Sequence, residues 1–344
     1  MTDLKVYILA VAFSFAVSAL SSPLARLLAL RFGWVDHPST PIKTHAIATP
    51  VLGGAAIFLS YALTLSLLRF LTHFPSGTLH TLRALLLGGS LVFALGAVDD
   101  IHKPGGVGFR LKFIVQIAAA LVLVAAGVRI RFISPAPVAV VLTVLWVVGV
   151  TNAFNIIDVM DGLSASQAAV ASLAFLMIAL PGEQLYVNFA SAALAGAALG
   201  FLPWNFSSRR KIFMGDSGSL VLGFALAAIS LGTNYSAVNP VGVYAPIMIL
   251  LVPIFDTIFV AALRLRKGRS PFLGSKDHFA LRLETAGWSR RAIVLFAALA
   301  SVALGFGGFL LTALSMKGAL AVGAGVAAVV LAVAEFLWHI PVHD

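Results

Sequence analysis

Eleven apolar runs follow one another along this chain with only short polar breaks between them, each near the roughly 20 residues a helix needs to cross the hydrocarbon of a bilayer. They lie near residues 4–30, 49–71, 82–98, 111–127, 137–157, 163–181, 185–204, 216–233, 242–263, 292–314 and 318–338. A water-soluble fold is excluded, because only 10% of the 344 residues are charged, against about 25% in an ordinary soluble domain. The longest polar stretch, about 264–291, is too short for a separate soluble domain. The sequence therefore predicts an all-α polytopic membrane protein of about 10–11 transmembrane helices, a single membrane domain over 1–344. The first run passes Pro23 and reaches Arg26 with no small-residue cleavage site followed by a polar start, so it is read as a retained helix.

The net charge of +10 does not mark a nucleic-acid binder, because the basic residues form short clusters between apolar runs and no single basic face. Placing successive breaks on alternate sides puts 17 of the 23 Lys and Arg residues on one side and leaves Lys5, Arg69, Arg83, Arg129, Arg131 and Lys317 on the other. The positive-inside rule makes the richer side cytoplasmic, with the N-terminus outside. Nine of the 13 acidic residues share those basic breaks: Asp36, Asp99, Asp100, Asp158, Asp161, Asp216, Asp256, Asp277 and Glu284. A carboxylate at the end of a spanning helix is costly unless paired, metal-bound or facing a watery cleft. Acids and bases gathered on one side predict a polar site for an anion together with a divalent cation. The chain has no cysteine, so a metal must be held by oxygen or imidazole.

Five segments carry that chemistry. Asp99-Asp100, followed by His102 and Lys103, ends the third run; adjacent carboxylates repel and are tolerated where Mg²⁺ or an ammonium offsets them. At the end of the fifth run Asn152, Asn155, Asp158 and Asp161 recur every third residue, near one face of a helix or tight turn. Met214-Gly215-Asp216-Ser217-Gly218-Ser219 opens the eighth, where small residues let backbone N–H groups approach an anion while the carboxylate holds a cation. Pro253-Ile254-Phe255-Asp256 sits in the ninth, followed by the most basic break, with Arg269 and Lys276-Asp277-His278. The turn-rich break at 31–54 offers Lys43 and His45 to phosphate oxygens. Each segment alone also has a structural reading: a solvated helix end, polar glue between helices, a helix cap, or a basic membrane-surface patch.

Taken in this order, the segments resemble those of the polyprenyl-phosphate N-acetylhexosamine-1-phosphate transferases over roughly residues 30–290. The resemblance implies transfer of a sugar 1-phosphate from a UDP-sugar to a polyprenyl phosphate, with release of UMP and dependence on Mg²⁺, for which Mn²⁺ substitutes, at the cytoplasmic face of a bacterial inner membrane. It implies Asp216 as the main metal ligand and Asn155 as a second. Asp99 and Asp100 become the acidic pair that handles the acceptor phosphate, and Phe213 the ring that stacks on uracil. Asp161 becomes part of the nucleoside pocket and Asn152 and Asp158 further substrate-binding residues, while Lys43, His45, Lys103, Lys112, Arg269 and His278 meet diphosphate charge, His278 being counted among the catalytic groups. Val159 stands where the family usually has glycine, and Ala280 and Leu281 stand where further histidines often fall. The second departure argues against the muramoyl-pentapeptide branch, and the 264–284 loop resembles more closely that of the undecaprenyl-phosphate N-acetylglucosamine-1-phosphate branch. A secondary transporter is the competing reading from another class. A homodimer through a lipid-facing helix stays open at this level.

Overall fold

The computed structural model describes residues 4–38, 47–71, 77–103, 105–182, 184–271 and 274–342. Within them the chain forms α1 (Leu4–Phe32), α2 (Gly53–Leu71), α3 (Thr78–Ile101), α4 (Phe109–Ala125), α5 (Ala136–Ile156), α6 (Leu163–Ala179), α7 (Leu185–Asn205), α8 (Gly215–Ser230), α9 (Ala245–Ile249), α10 (Leu251–Arg266), α11 (Phe279–Thr285), α12 (Arg290–Ala313) and α13 (Met316–Trp338). Every apolar run is occupied by a helix, so the all-α polytopic expectation holds. Among the described residues eight helices are long and apolar enough to cross a membrane, and the pair Pro240–Ile249 and Leu251–Arg266, bent by 72° at the break between α9 and α10, makes nine if it is counted as one span. The helices α4 and α8 fall just short, at 17 and 16 residues.

The bend has a local cause. Pro253 has no N–H to give the carbonyl of Ile249, so a helix cannot run unbroken from α9 into α10. Proline is tolerated in the first turn of the new helix, where its N–H would have no partner anyway. The result swings α10 away from the axis of α9 and carries Asp256 toward the polar end of the bundle.

The helix α8 is the core: every residue from Ser217 to Ser230 is buried, packed against α2, α3, α5, α6 and α7. Small residues make this approach possible, as usual where helices pack in lipid. A Cβ on Gly96 of α3 would stand 2.4 Å from the backbone nitrogen of Ser217. The outermost helices present apolar side chains to lipid; only 6% of the spanning window of α13 is buried. A two-residue antiparallel ladder, β1 (Val35–Asp36) with β2 (Thr49–Pro50), lies at the end of α1. It matters because Phe213 N–H donates to the Pro50 carbonyl at 2.8 Å, while Gly53 and Gly54 donate to the carbonyls of Phe213 and Met214. The segment before α8 is thereby pinned to the start of α2.

Candidate active site

The end of the bundle where α3, α5, α7 and α10 finish and α4, α6 and α8 begin carries the described carboxylates and most of the basic residues. Asp99, Asp100 and Asp216, from two segments more than a hundred residues apart, bring carboxylate oxygens within 4.8 Å of one another. Two ammoniums lie between them. Lys103 Nζ reaches Asp100 at 2.9 Å and Asp216 at 3.3 Å, and Lys112 Nζ, in the first turn of α4, reaches Asp99 at 2.9 Å and Asp216 at 2.6 Å. Burial alone would lower the Lys103 pKa, but Asp216 and Asp100 outweigh it and raise it above the ordinary lysine value.

The three carboxylates are not equivalent. Asp100 is 2% exposed and accepts from Asp216 N–H at 2.9 Å, Ser217 N–H at 3.0 Å and the Ser217 hydroxyl at 2.7 Å. It caps the N-terminus of α8 from another helix, taking up N–H groups that have no partner within α8. Asp99 is also buried and accepts from Val107 N–H at 2.6 Å. Only Asp216 is partly open and lines the adjoining cleft.

Gly215 holds this arrangement together. Its φ of +73° is one that L side chains rarely adopt, and an added Cβ would lie 2.3 Å from Asp100 Oδ2. Gly215→Ala is therefore expected to displace the Asp100 cap and lower the thermal unfolding midpoint by several degrees, roughly the effect of 1–2 kcal/mol. An unchanged midpoint by differential scanning fluorimetry would contradict that geometry.

The cleft has a volume of about 320 Å³. Asp36, Lys103, Asn155, Asp158, Asp161, Asn205, Lys211, Phe213, Asp216, His278 and Arg290 are among its lining residues. Asn155 Nδ2 donates to the Ser219 hydroxyl at 2.9 Å. Lys211 pairs with Asp161 at 2.5 Å and lies 5.3 Å from the centroid of the Phe213 ring. His278 is fixed through Nδ1, 2.8 Å from Asp256 Oδ2, while the other oxygen of Asp256 accepts Phe279 N–H at 2.9 Å and so caps α11.

The loop bearing His278 is latched from behind by Arg282, which is 3% exposed. Its guanidinium donates to Asp277 Oδ1 at 3.0 Å and to the carbonyls of Leu337 and Ile340, at 3.0 and 2.6 Å, at the end of α13. Burial would raise the Asp277 pKa, but Lys267, with help from Ser275 and Arg282, holds it below the ordinary carboxylate range.

Asp158 behaves in the opposite way. Burial first, then repulsion from Asp216, push its carboxyl up to about 8 against the opposing pull of Lys103. A group whose pKa rises on folding contributes most to stability below its unfolded value, about 4 for Asp. That contribution is lost as pH rises through about 8. Asp158→Asn, which cannot ionise, is expected to unfold at a higher temperature than the metal-free wild type near pH 9 and at a similar temperature near pH 4. Parallel midpoints across that range would rule the shift out.

The sequence motifs meet here with some differences. The expected stripe of four polar residues divides: α5 stops at Ile156, and Asn155, Asp158 and Asp161 reach the cleft, whereas Asn152 turns to α4 and exchanges hydrogen bonds with Gln116. Arg269 is exposed and is not among the residues that line the cleft. Lys112 contacts the carboxylates from behind the cleft wall. Lys43 and His45 lie outside the described residues. Val159 keeps a negative φ, so no glycine is needed there. Asp36, Asn205, Lys211 and Arg290 were not among the predicted site residues. Lys211, two residues before Phe213, was legible by proximity. Asn205 was not: it holds the turn at Gly162 N–H and the Ile212 carbonyl through the tertiary fold alone.

The architecture and this charged end define an all-α polytopic membrane protein with a cation-and-anion cleft at one edge of the bundle. A model of glycosyl transferase family 4 matches residues 82–234. The chain is 33% identical over 309 residues to the probable undecaprenyl-phosphate N-acetylglucosaminyl 1-phosphate transferase of Bacillus subtilis (strain 168), covering 86% of this chain and 82% of that protein. It is 35% identical over 302 residues to the decaprenyl-phosphate N-acetylglucosaminephosphotransferase of Mycobacterium tuberculosis (strain ATCC 25618 / H37Rv), covering 78% and 74%. Identity to the undecaprenyl-phosphate alpha-N-acetylglucosaminyl 1-phosphate transferase of Escherichia coli (strain K12) is 28% over 297 residues, covering 82% and 78%. The chain belongs to glycosyl transferase family 4.

Proposed function

We propose that this protein transfers N-acetylglucosamine 1-phosphate from its UDP-sugar to undecaprenyl phosphate or a related polyprenyl phosphate, the first membrane step of a cell-envelope polysaccharide. The observation that carries the proposal is the meeting of Asp99, Asp100 and Asp216 with Lys103 and Lys112 beside one cleft. The names of the relatives supply the substrate class. In the reaction an oxygen of the acceptor phosphate attacks the β-phosphorus of the donor. The bond from that phosphorus to the bridging oxygen breaks, UMP leaves with the electron pair, and the lipid keeps a pyrophosphoryl sugar.

Phosphoryl transfer of this kind asks a protein mainly for positioning and for charge neutralisation. Oxygen donors alone, three carboxylates with an amide in the adjoining wall, suit a hard divalent ion. Two ammoniums offset two of these three negative charges, and the one left over fits a place for further positive charge. Asp216 with Asn155, both in the cleft wall, would hold Mg²⁺ or Mn²⁺. When bound, that ion neutralises diphosphate oxygens as negative charge moves onto the departing UMP. Asp99 keeps Lys112 in place and Asp100 fixes α8, so the acidic pair acts by positioning Asp216 and the two lysines. Phe213 offers its ring to the uracil and Asp161 and Asn205 a polar edge beside it, while Lys211, Arg290 and His278 face the phosphates and sugar.

The polar end faces the cytoplasm, where UDP-sugars are, and the acceptor's isoprenoid tail stays in the bilayer. A transporter is disfavoured, because the described carboxylates concentrate at one end and the central helix α8 has no ionisable side chain beyond Asp216 in its first turn. The test is UMP release by the purified protein given polyprenyl phosphate and, in turn, UDP-N-acetylglucosamine, UDP-N-acetylgalactosamine and UDP-N-acetyl-deoxyhexoses. UMP from the first donor in excess of the others, and only with magnesium present, is the expected result. Solute uptake into proteoliposomes with no UMP from any donor would reject the proposal.

A further inference from the structure

The far end of the bundle holds a second pocket, of about 470 Å³, that the transfer reaction leaves unused. The helix α8 begins beside Asp100 and ends at Ser230 in this pocket's wall, 16 residues and about 24 Å further on. Arg129 and Arg131, on the connection between α4 and α5, both line it. They are two of the six basic residues on the side disfavoured for positive charge. Among the described residues neither is paired with a carboxylate, and the described carboxylates belong to the opposite end. Deeper in, the Tyr235 side chain is 7% exposed and its hydroxyl faces Thr233, yet both oxygens are buried without a hydrogen bond of acceptable geometry. A buried hydroxyl left this way loses its hydration without compensation, so native structures usually give it a partner. The mouth is apolar: Phe132 and Tyr244 are largely exposed beside it.

We propose that this pocket binds the phosphate headgroup of an anionic bilayer lipid in the leaflet opposite the acidic cluster. The two guanidiniums meet the phosphate, headgroup or ester oxygens accept from Tyr235 and Thr233, and the acyl chains pass Phe132 and Tyr244. The apolar mouth is what selects a lipid over free phosphate, which gains nothing from exposed aromatic rings.

The test uses the full chain in a zwitterionic detergent, titrated with dioleoyl phosphatidylglycerol, dioleoyl phosphatidylcholine or inorganic phosphate, and read by native mass spectrometry and thermal shift. The basic opposite end also attracts phosphatidylglycerol, so the readout is the binding lost in variants. Arg129→Gln with Arg131→Gln is expected to remove a phosphatidylglycerol site about twenty-five-fold tighter than the residual one, about fivefold for each basic residue, while UMP release is unchanged. Tyr235→Phe is expected to weaken the same site and leave the lipid-free unfolding midpoint equal or higher, which loss of a packing residue would not do. Identical phosphatidylglycerol titrations for wild type and the double variant would overturn the proposal. So would full displacement of that lipid by millimolar inorganic phosphate.

Discussion

Asp216→Asn is expected to cut UMP release from UDP-N-acetylglucosamine and polyprenyl phosphate at least about a hundredfold, the loss of roughly 3 kcal/mol of transition-state stabilisation. Its unfolding midpoint should stay close to that of the wild type. Asp216 is the one member of the carboxylate group that opens into the cleft, and two ammoniums already touch it. Asparagine keeps the shape and removes the charge, which leaves Lys103 and Lys112 with one anion fewer and turns the site against a divalent cation. Asp100→Asn separates the two kinds of role. It should lose activity and also stability, because an amide accepts through one oxygen where the carboxylate accepts through both Oδ1 and Oδ2. Equal effects of the two variants on both readouts would mean that the cap and the cleft are not distinct.

Arg282→Leu carries the second large effect. Removing one partner from a buried ion pair costs about 3–5 kcal/mol. Lys267 stays on Asp277, so the lower figure applies, and two carbonyls at the end of α13 also lose their donor. An unfolding midpoint lower by on the order of 5–10 °C is expected. The latch also sets the loop that holds His278 against Asp256, so KM for the UDP-sugar should rise more than kcat falls. Removing the chain from Leu337 onward deletes the same two acceptors and should reproduce part of that KM effect. Wild-type stability and KM in Arg282→Leu would show that α13 and the cleft are independent.

Much of this was readable from residue order. Membrane helices are written as long apolar runs because lipid leaves a spanning segment little other choice, and all eleven runs proved helical. The break inside the ninth was carried by Pro253, though its angle depends on packing against α12 and could not be read from the run. Asp99, Asp100 and Asp216 were visible as acids at helix ends on the basic side. That Asp100 faces inward to cap α8, and Asp99 toward Val107 and Lys112, was hidden, since adjacent identical residues differ only in where the helix points them. Asn152 turns to Gln116 and away from the other three for a related reason: the three-residue spacing holds only while the helix continues, and α5 ends four residues later. Arg282 looked like one more cytoplasmic positive charge. Its role depends on carbonyls 55 and 58 residues away, a separation no local pattern encodes.

The central physical claim is that Asp216, positioned by Asp99 and Asp100 of α3, forms with Asn155 one divalent-cation site at the edge of the cleft. Anomalous scattering from crystals of the full chain soaked in Mn²⁺ locates the ion directly. A single strong peak at the Asp216 carboxylate, absent in crystals of Asp216→Asn, is the predicted result. An ion bound elsewhere, or an undiminished peak in the variant, would contradict it.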